Sequence, residues 1–318
     1  MKRLSYFLLV ITATTLFNSF VSCSKEGDDN KEPQIVFTAY LSGEFYFYIA
    51  GTGSVKIEWG DSRKNEKYPL SLSESDYYLL TGNNEYRFSH NYSDSSVYMV
   101  SITGENITHF SCYKNSGNSI QITNLDVSRA TALRLLECPY TQLTDLDVSK
   151  NTALRVLNCS GNQLTNLDIS NNIAMRVLNC SGNKLTNLDV SNNIELTSLS
   201  CSINKLRDLD VSNNIKLNYL FCNDNQLYSL GLVNNIALMS LYCANNQFTN
   251  LDFSQNTSIN FINCTFNRIS TDGLNSLLET LPKNEDLAHL KYINIWGNPG
   301  STECNVDIAT EKGWQVPY

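Results

Sequence analysis

Between Leu133 and Ile295 the apolar positions recur with one period. Cysteines stand at 138, 159, 180, 201, 222, 243 and 264, every step being 21 residues. One unit runs Leu154-Arg155-Val156-Leu157-Asn158-Cys159, then Asn162, Leu164, Leu167-Asp168-Ile169-Ser170 and Asn172, or L-x-x-L-x-C-x-x-N-x-L-x-x-L-D-I-S-x-N. A fixed period between about 20 and 50 residues marks an array of stacked units. Within each unit, alternation predicts a short strand that turns Leu154, Leu157 and Cys159 inward and Val156 and Asn158 outward. A lone unit cannot bury its apolar face; stacking merges the faces into one core. Asn162, Asn183, Asn204, Asn225, Asn246 and Asn267 form a second ladder, whose amides are expected to satisfy backbone groups in the turn leaving each strand.

Two further units fit the template. Ile107-x-x-Phe110-x-Cys112-x-x-Asn115 precedes the next cysteine by 26 residues, with five extra near Ser116–Ser119. Leu290-x-x-Ile293-x-Ile295-x-x-Asn298 puts Ile in the Cys slot, 31 residues after Cys264. Its insertion carries Leu274, Leu277, Leu278 and Leu281, the stripe of one helix, capped by Thr271 or Asp272 and stopped by Pro282. Nine strands are therefore expected. Thr302 to Lys312 suits a short helix ending at Gly313, with Trp314 and Val316 as an apolar lid.

From Gln34 to about Gly104 the pattern changes to seven short alternating β-type runs, such as Tyr46–Ile49, Val55–Trp59 and Val97–Ile102. Gly60-Asp61-Ser62 and Asn83-Asn84 supply turns. This predicts an immunoglobulin-like β-sandwich that covers the first repeat's open face. The predicted fold class is mostly β: a sandwich at 34–106, a curved solenoid of about nine parallel strands at 107–300, and a small helical cap at 301–318.

The repeat is the leucine-rich-repeat pattern with Cys in an apolar slot, and it resembles the 21-residue cysteine-bearing repeats of the internalin J type. Ile57-Glu58-Trp59-Gly60-Asp61, Phe88-Ser89-His90-Asn91-Tyr92 and Val97-Tyr98-x-Val100 resemble the W-G-D…H-x-Y…Y-x-V pattern of PKD-like domains, with Ser62 where that family has Gly. At the start, Met1-Lys2-Arg3, the apolar run Leu4–Phe20 and Phe20-Val21-Ser22-Cys23 resemble a bacterial lipobox. That implies a signal peptide at 1–22, a diacylglycerol on Cys23, and a lipid-anchored protein in the outer membrane, facing the cell exterior. Each buried methylene adds about 0.8 kcal/mol to such an anchor. Ser24 to Pro33 is polar and core-less, so 23–33 is read as a flexible tether; its Ser24-Lys25-Glu26 looks like the export signal of Bacteroidota-type surface lipoproteins.

Either half-repeat fits the concave strand, since L-T-N-L-D-I-S-N-N also matches L-x-x-L-x-I-x-x-N. The Cys half is chosen because Asn162-x-Leu164 follows it at the family's spacing, whereas the other half gives Asn172-x-Ala174. In the other register the outward residues named below lie on the convex back.

Composition then narrows the chemistry. Thirty-one acids against 23 Lys+Arg leave a net charge of −8, so nothing draws the chain to nucleic acid by charge. With three His, no G-x-S-x-G, H-E-x-x-H or Walker loop, the chain is expected not to be an enzyme and to need no cofactor or metal. Zinc wants clustered thiolates, and same-facing thiols on parallel strands make poor disulfides, so the cysteines are read as core residues. Cys304 lies outside the ladder, its pairing open. Asp126, Asp147, Asp168, Asp189, Asp210 and Asp252 form a carboxylate row; local hydrogen bonding is preferred over calcium, for which no shell closes.

With the first Leu of L-x-x-L as position 1, positions 3 and 5 point outward. Tyr219, Phe221, Tyr242 and Phe261 converge there into an exposed aromatic patch. Arg134, Arg155 and Arg176 at position 2 make a positive stripe suited to carboxylates, sulfates or acidic protein surfaces. These seven residues are the candidate ligand contacts. Aromatic platforms suit both proteins and sugars, and the rings also have each other to pack on. Resemblance to internalin-type adhesins implies recognition of a protein ligand on a host or neighbouring cell. Glycan capture for a polysaccharide uptake system, and a purely structural spacer, stay open beside it.

Overall fold

A computed structural model describes residues 31–61, 65–70, 87–112, 121–285 and 290–317. The signal peptide, Cys23 and most of the tether, Ser62, the Asn83-Asn84 turn and the Ser116–Ser119 insertion lie outside the described residues. The chain divides into Met1–Glu32 and Pro33–Tyr318, and all the architecture below belongs to the second.

The expected short β-runs of the N-terminal part are merged, among the described residues, into two long strands. These are β1 (Ile35–Glu58) and β3 (Arg87–Ser111), with β2 (Glu66–Leu70) and β4 (Gln121–Asp126) paired to β1. Register shifts beside Gly43 and Gly53, both at positive φ, bend β1 so that it pairs twice with β3. Ile102 thus lies between Ile35 and Ile57, while Phe47 faces Phe88 and Ile49 faces Phe110. Phe37 from the first set meets Phe45, Phe47 and Phe110 from the second at ring distances of 5.8, 5.9 and 6.2 Å. The contacts with Phe45 and Phe47 are edge-on, a geometry that adds to the area they bury.

The residues of the W-G-D…H-x-Y motif come together. The Trp59 ring stacks on His90 at 5.0 Å, His90 Nε2 lies 2.8 Å from Asp61 Oδ2, and the Tyr92 hydroxyl donates to the Trp59 carbonyl. β3 runs through positions 106 and 107 without a break. The expected boundary there is a change of neighbours within one strand.

The tail of β3 is the first solenoid strand: Phe110 sits opposite Leu136 in parallel pairing. There follow β5 (Leu135–Glu137), β6 (Val156–Asn158), β7 (Val177–Asn179), β8 (Ser198–Ser200), β9 (Tyr219–Phe221), β10 (Ser240–Tyr242) and β11 (Phe261–Asn263). After helix α1 (Thr271–Thr280) comes β12 (Lys291–Asn294). Leucine or isoleucine stays in register throughout, from Leu136 to Ile293. Nine repeat strands are thus present among the described residues, as expected.

Each strand is only three or four residues, and it lies in the Cys half, which decides the register. Leu154 is not on it: it enters the core from the preceding turn, its N–H donating to the Asn151 carbonyl.

Two asparagine ladders hold the coils. The expected one, Asn162 to Asn267, has each amide bridging cysteine carbonyls of two coils, as Asn183 does to Cys159 and Cys180, and it continues to Asn298, which bridges the carbonyls of Cys264 and Ile295. The second was not anticipated: Asn151, Asn172, Asn193, Asn214, Asn235 and Asn256 each donate to two carbonyls of the preceding coil. They are wholly buried.

The cap differs in detail from expectation. Helix α1 is capped by Ser270, whose side chain accepts from the Gly273 N–H, rather than by Thr271 or Asp272. The helix expected from Thr302 to Lys312 shrinks to α2 (Asp307–Thr310): just before it the Asn305 N–H donates to the Asn275 side chain and the Asp307 N–H to the Asn305 side chain, while the ammonium of Lys312 donates to the carbonyls of Leu278, Glu279 and Leu281 at the end of α1. Trp314 does more than cover the core: with Gln315 it forms β13, parallel to β12.

One coil position takes a left-handed backbone throughout: Tyr140, Gly161, Gly182, Ile203, Asp224, Asn245, Phe266 and Gly297 all have positive φ. Ile203, β-branched at φ 55°, carries the largest steric cost. Its side chain is exposed, so little burial is at stake. Ile203→Gly is expected to raise unfolding stability by about 1 kcal/mol, measured by denaturant titration; a loss of stability would show that the side chain has a packing role.

Candidate functional site

Strand geometry turns positions 3 and 5 of each coil away from the core, and three of the four aromatic residues there meet. The Phe221 and Tyr242 rings stack at 4.8 Å and 19°, and Tyr242 and Phe261 at 4.7 Å and 26°. Tyr219 stands outside this stack, 44 % exposed. The rings therefore pack on one another and still leave an apolar, hydroxyl-edged surface.

The arginines form a separate site. Arg134, Arg155 and Arg176 line a groove of about 700 Å³ together with Thr108, His109, Val156, Val177, Glu195, Thr197 and Lys216. None of the four aromatic residues lines it. Its other wall is the β1–β3 pair at Gly51, Thr52 and Asn106. There the Asn106 amide donates to the Thr52 hydroxyl at 3.0 Å, and a Cβ on Gly51 would collide with the Asn106 carbonyl. Only glycine lets the two strands approach so closely. At the far end Lys216 and Glu195 pair at 2.6 Å, which holds the Glu195 carboxyl below its usual range.

Sequence reasoning missed this wall, because it is made by folding the N-terminal strands over the first coils. One signal was available: Leu135, at an outward position, is buried against Ala50 with Tyr48 and Val156 around it.

His109 was also missed. It is 4 % exposed beside Thr108, whose hydroxyl lies 2.8 Å from its Nδ1. Burial, and secondarily the Arg134 charge, push its pKa from 6.5 down to about 4. Between those values the unfolded chain takes up a proton that the folded chain refuses, so acid favours unfolding there. Above 6.5 both states are neutral and below about 4 both are charged. Stability is expected to fall across that window by about 2–3 kcal/mol. His109→Gln should flatten this part of a stability–pH curve; an unchanged slope would remove His109 as its origin.

The remaining ladders have local roles. The cysteines at 112, 138, 159, 180, 201, 222, 243 and 264 are free and buried. Burial raises their thiol pKa values, to about 12 for Cys159, Cys222 and Cys264. Cys304 is free and partly exposed. Each aspartate of the carboxylate row accepts from the N–H of the serine two residues on, as Asp168 does from Ser170. Hydrogen bonds from those serines, hydroxyl first and then N–H at Asp189 and Asp210, N–H first and then hydroxyl at Asp147 and Asp168, lower the pKa of these four aspartates. Among the described residues no three His, Cys, Asp or Glu side chains gather as a metal site would require.

No protein-family model matches this chain, and no curated protein does. Similar solved structures include the functional domain of InlJ from Listeria monocytogenes, which includes a cysteine ladder: 31% identity, TM-score 0.47, covering 64% of this chain and 47% of that one. The chain thus spans about half the length of that relative. Internalin C2 of the same organism is 22% identical (TM-score 0.48; 52% of this chain, 74% of that). A leucine-rich-repeat protein of Leptospira interrogans is 17% identical (TM-score 0.43; 60% and 62%). The chain is a mostly β solenoid with a ladder of free, buried cysteines, and the solved structures similar to it include internalin J and other leucine-rich-repeat proteins.

Proposed function

We propose that this chain is a non-catalytic binding protein that recognises a protein ligand through the inner face of its solenoid. The observation that carries the reading is the stack of Phe221, Tyr242 and Phe261 with exposed Tyr219 beside it. Rigid aromatic side chains bury large areas at little entropic cost and dominate the energetics of protein interfaces. Stacked rings are pre-ordered, so a partner need not immobilise them. Anchoring through Cys23 to the outer membrane, with the solenoid facing outward, belongs to the same proposal. Radiolabelled palmitate should enter the wild-type chain and not Cys23→Ser.

The test is a screen of the full chain against surface proteins and against a glycan array. Tyr242→Ala is expected to weaken capture of a protein ligand by about tenfold or more, the mark of a hot spot. A loss confined to the glycan array would make the stack a sugar platform and the chain a glycan-capturing accessory. No interaction that depends on Tyr219, Phe221 or Tyr242 would leave the solenoid a spacer.

A further inference from the structure

We propose that the groove between the β1–β3 wall and the first coils is a binding site for an extended acidic peptide segment. It rests on the reading above in one respect only, that the ligand is a protein, and it concerns a different surface from the aromatic stack.

Arg134, Arg155 and Arg176 project from successive coils into one concavity, and neighbouring strands lie about 4.8 Å apart. Three guanidiniums within about 10 Å, on a chain whose net charge is −8, form a local positive field on an acidic body. The groove lining carries three guanidiniums and the Lys216 ammonium against one carboxylate, Glu195, which is bonded to Lys216 and also feels the Arg176 charge, so the lining stays positive on balance. The same charge acts on the neighbouring wall, where Arg134 opposes protonation of His109. Guanidinium forks match carboxylates in two parallel hydrogen bonds.

Shape and floor then choose the class of ligand. A volume of about 700 Å³ is that of a site for a short segment rather than for an ion. Extended peptide advances about 3.3 Å per residue, so acidic side chains at i and i+2 stand about 6.6 Å apart on one face. Both lie within reach of the flexible arginines. The alternate side chains fall toward Val156 and Val177, an aliphatic floor. A sugar polymer would want aromatic faces here, and none of the four aromatic rings lines the groove. A polyanion charged at every unit would also run onto Glu195 at the far end. A peptide with two or three acids and apolar residues between them meets neither obstacle. Thr52 and Asn106, locked to each other at 3.0 Å, give the wall polar groups already in position for a peptide backbone.

The experiment titrates a fluorescein-labelled peptide of alternating Glu and Val into the full chain by fluorescence anisotropy. Saturable binding is expected, weakened about tenfold or more in Arg155→Gln and in Arg176→Gln, which each lose a charge-assisted pair. Binding should be unchanged in Lys205→Gln, which removes an equal charge outside the groove. A Gln/Val peptide should not bind. No saturable binding, or equal binding in the arginine variants and wild type, overturns the proposal. So does tighter, Arg155-dependent binding of oligogalacturonate or of a heparin-derived oligosaccharide than of the peptide. Failure here is separable from failure of the inner-face reading: peptide binding with no aromatic-dependent protein capture leaves the groove alone standing, and the reverse result leaves the stack alone.

Discussion

Replacing Asn225 by Ala should lower unfolding stability by about 3–5 kcal/mol, the largest single-residue effect expected outside the apolar core. Its amide donates to the carbonyls of Cys201, Cys222 and Asn223 at 3.0, 3.2 and 3.2 Å, and its carbonyl accepts the Leu206 N–H at 3.0 Å. Alanine strands backbone groups on two coils at once, in a place water reaches poorly, and buried groups without partners carry their full desolvation penalty. Asn214 provides the comparison. It donates to Val190 and Asn193 at 3.0 and 2.9 Å, but its own buried carbonyl has no partner. Asn214→Ala removes that unpaired acceptor together with the two bonds, so its cost should be smaller, about 2–3 kcal/mol. Guanidinium titrations of the two variants check the order. If Asn214→Ala is the more damaging, the accounting of these ladders is wrong. Because each coil contacts only its neighbours, the lesion should also broaden the transition by uncoupling the two sides of the stack.

The second large effect is kinetic. In the native protein the eight ladder thiols should resist a thiol-reactive dye by a factor of about a thousand or more, while Cys304 reacts first. Two causes act together. A thiol whose pKa moves from 9.0 to about 12, as at Cys159, holds about a thousandfold less thiolate, the reactive form. Reagent must also wait for local opening, since these sulfurs are fully buried. In denaturant all should react at one rate. Mass spectrometry of dye incorporation at each position gives the readout. Rapid native labelling at Cys180, Cys201 or Cys222 would contradict a shared apolar interior.

Much of this was legible beforehand because a repeat states its rule many times. The period at 138 to 264 defines the coil, and an apolar residue every turn has nowhere to go except the common core. The Asn162 ladder followed from the same logic, as did the aspartates' bonds to nearby serines. Asn151 to Asn256 escaped because an Asn at the end of L-D-V-S-x-N reads equally as a solvent-exposed turn residue. Only the superposition of coils shows that it faces inward. At the cap, Ser270 displaced Thr271 and Asp272 by a one-residue difference that propensity does not resolve.

Composition and periodicity thus determined the architecture of the solenoid and its interior, since those follow from local geometry repeated; which half-repeat forms the strand, and so which way the candidate residues face, was decided by the structure. Which of the outward residues share a site was decided by the tertiary structure alone. The aromatic rings meet because three successive coils bring them within stacking distance. The arginines line a groove because strands some eighty residues earlier in the chain fold over them, as Gly51 and Thr52 do over Arg134. That contact is long-range and occurs once, so no period announces it; it depends on how β1 bends and on the burial of Leu135 against Ala50.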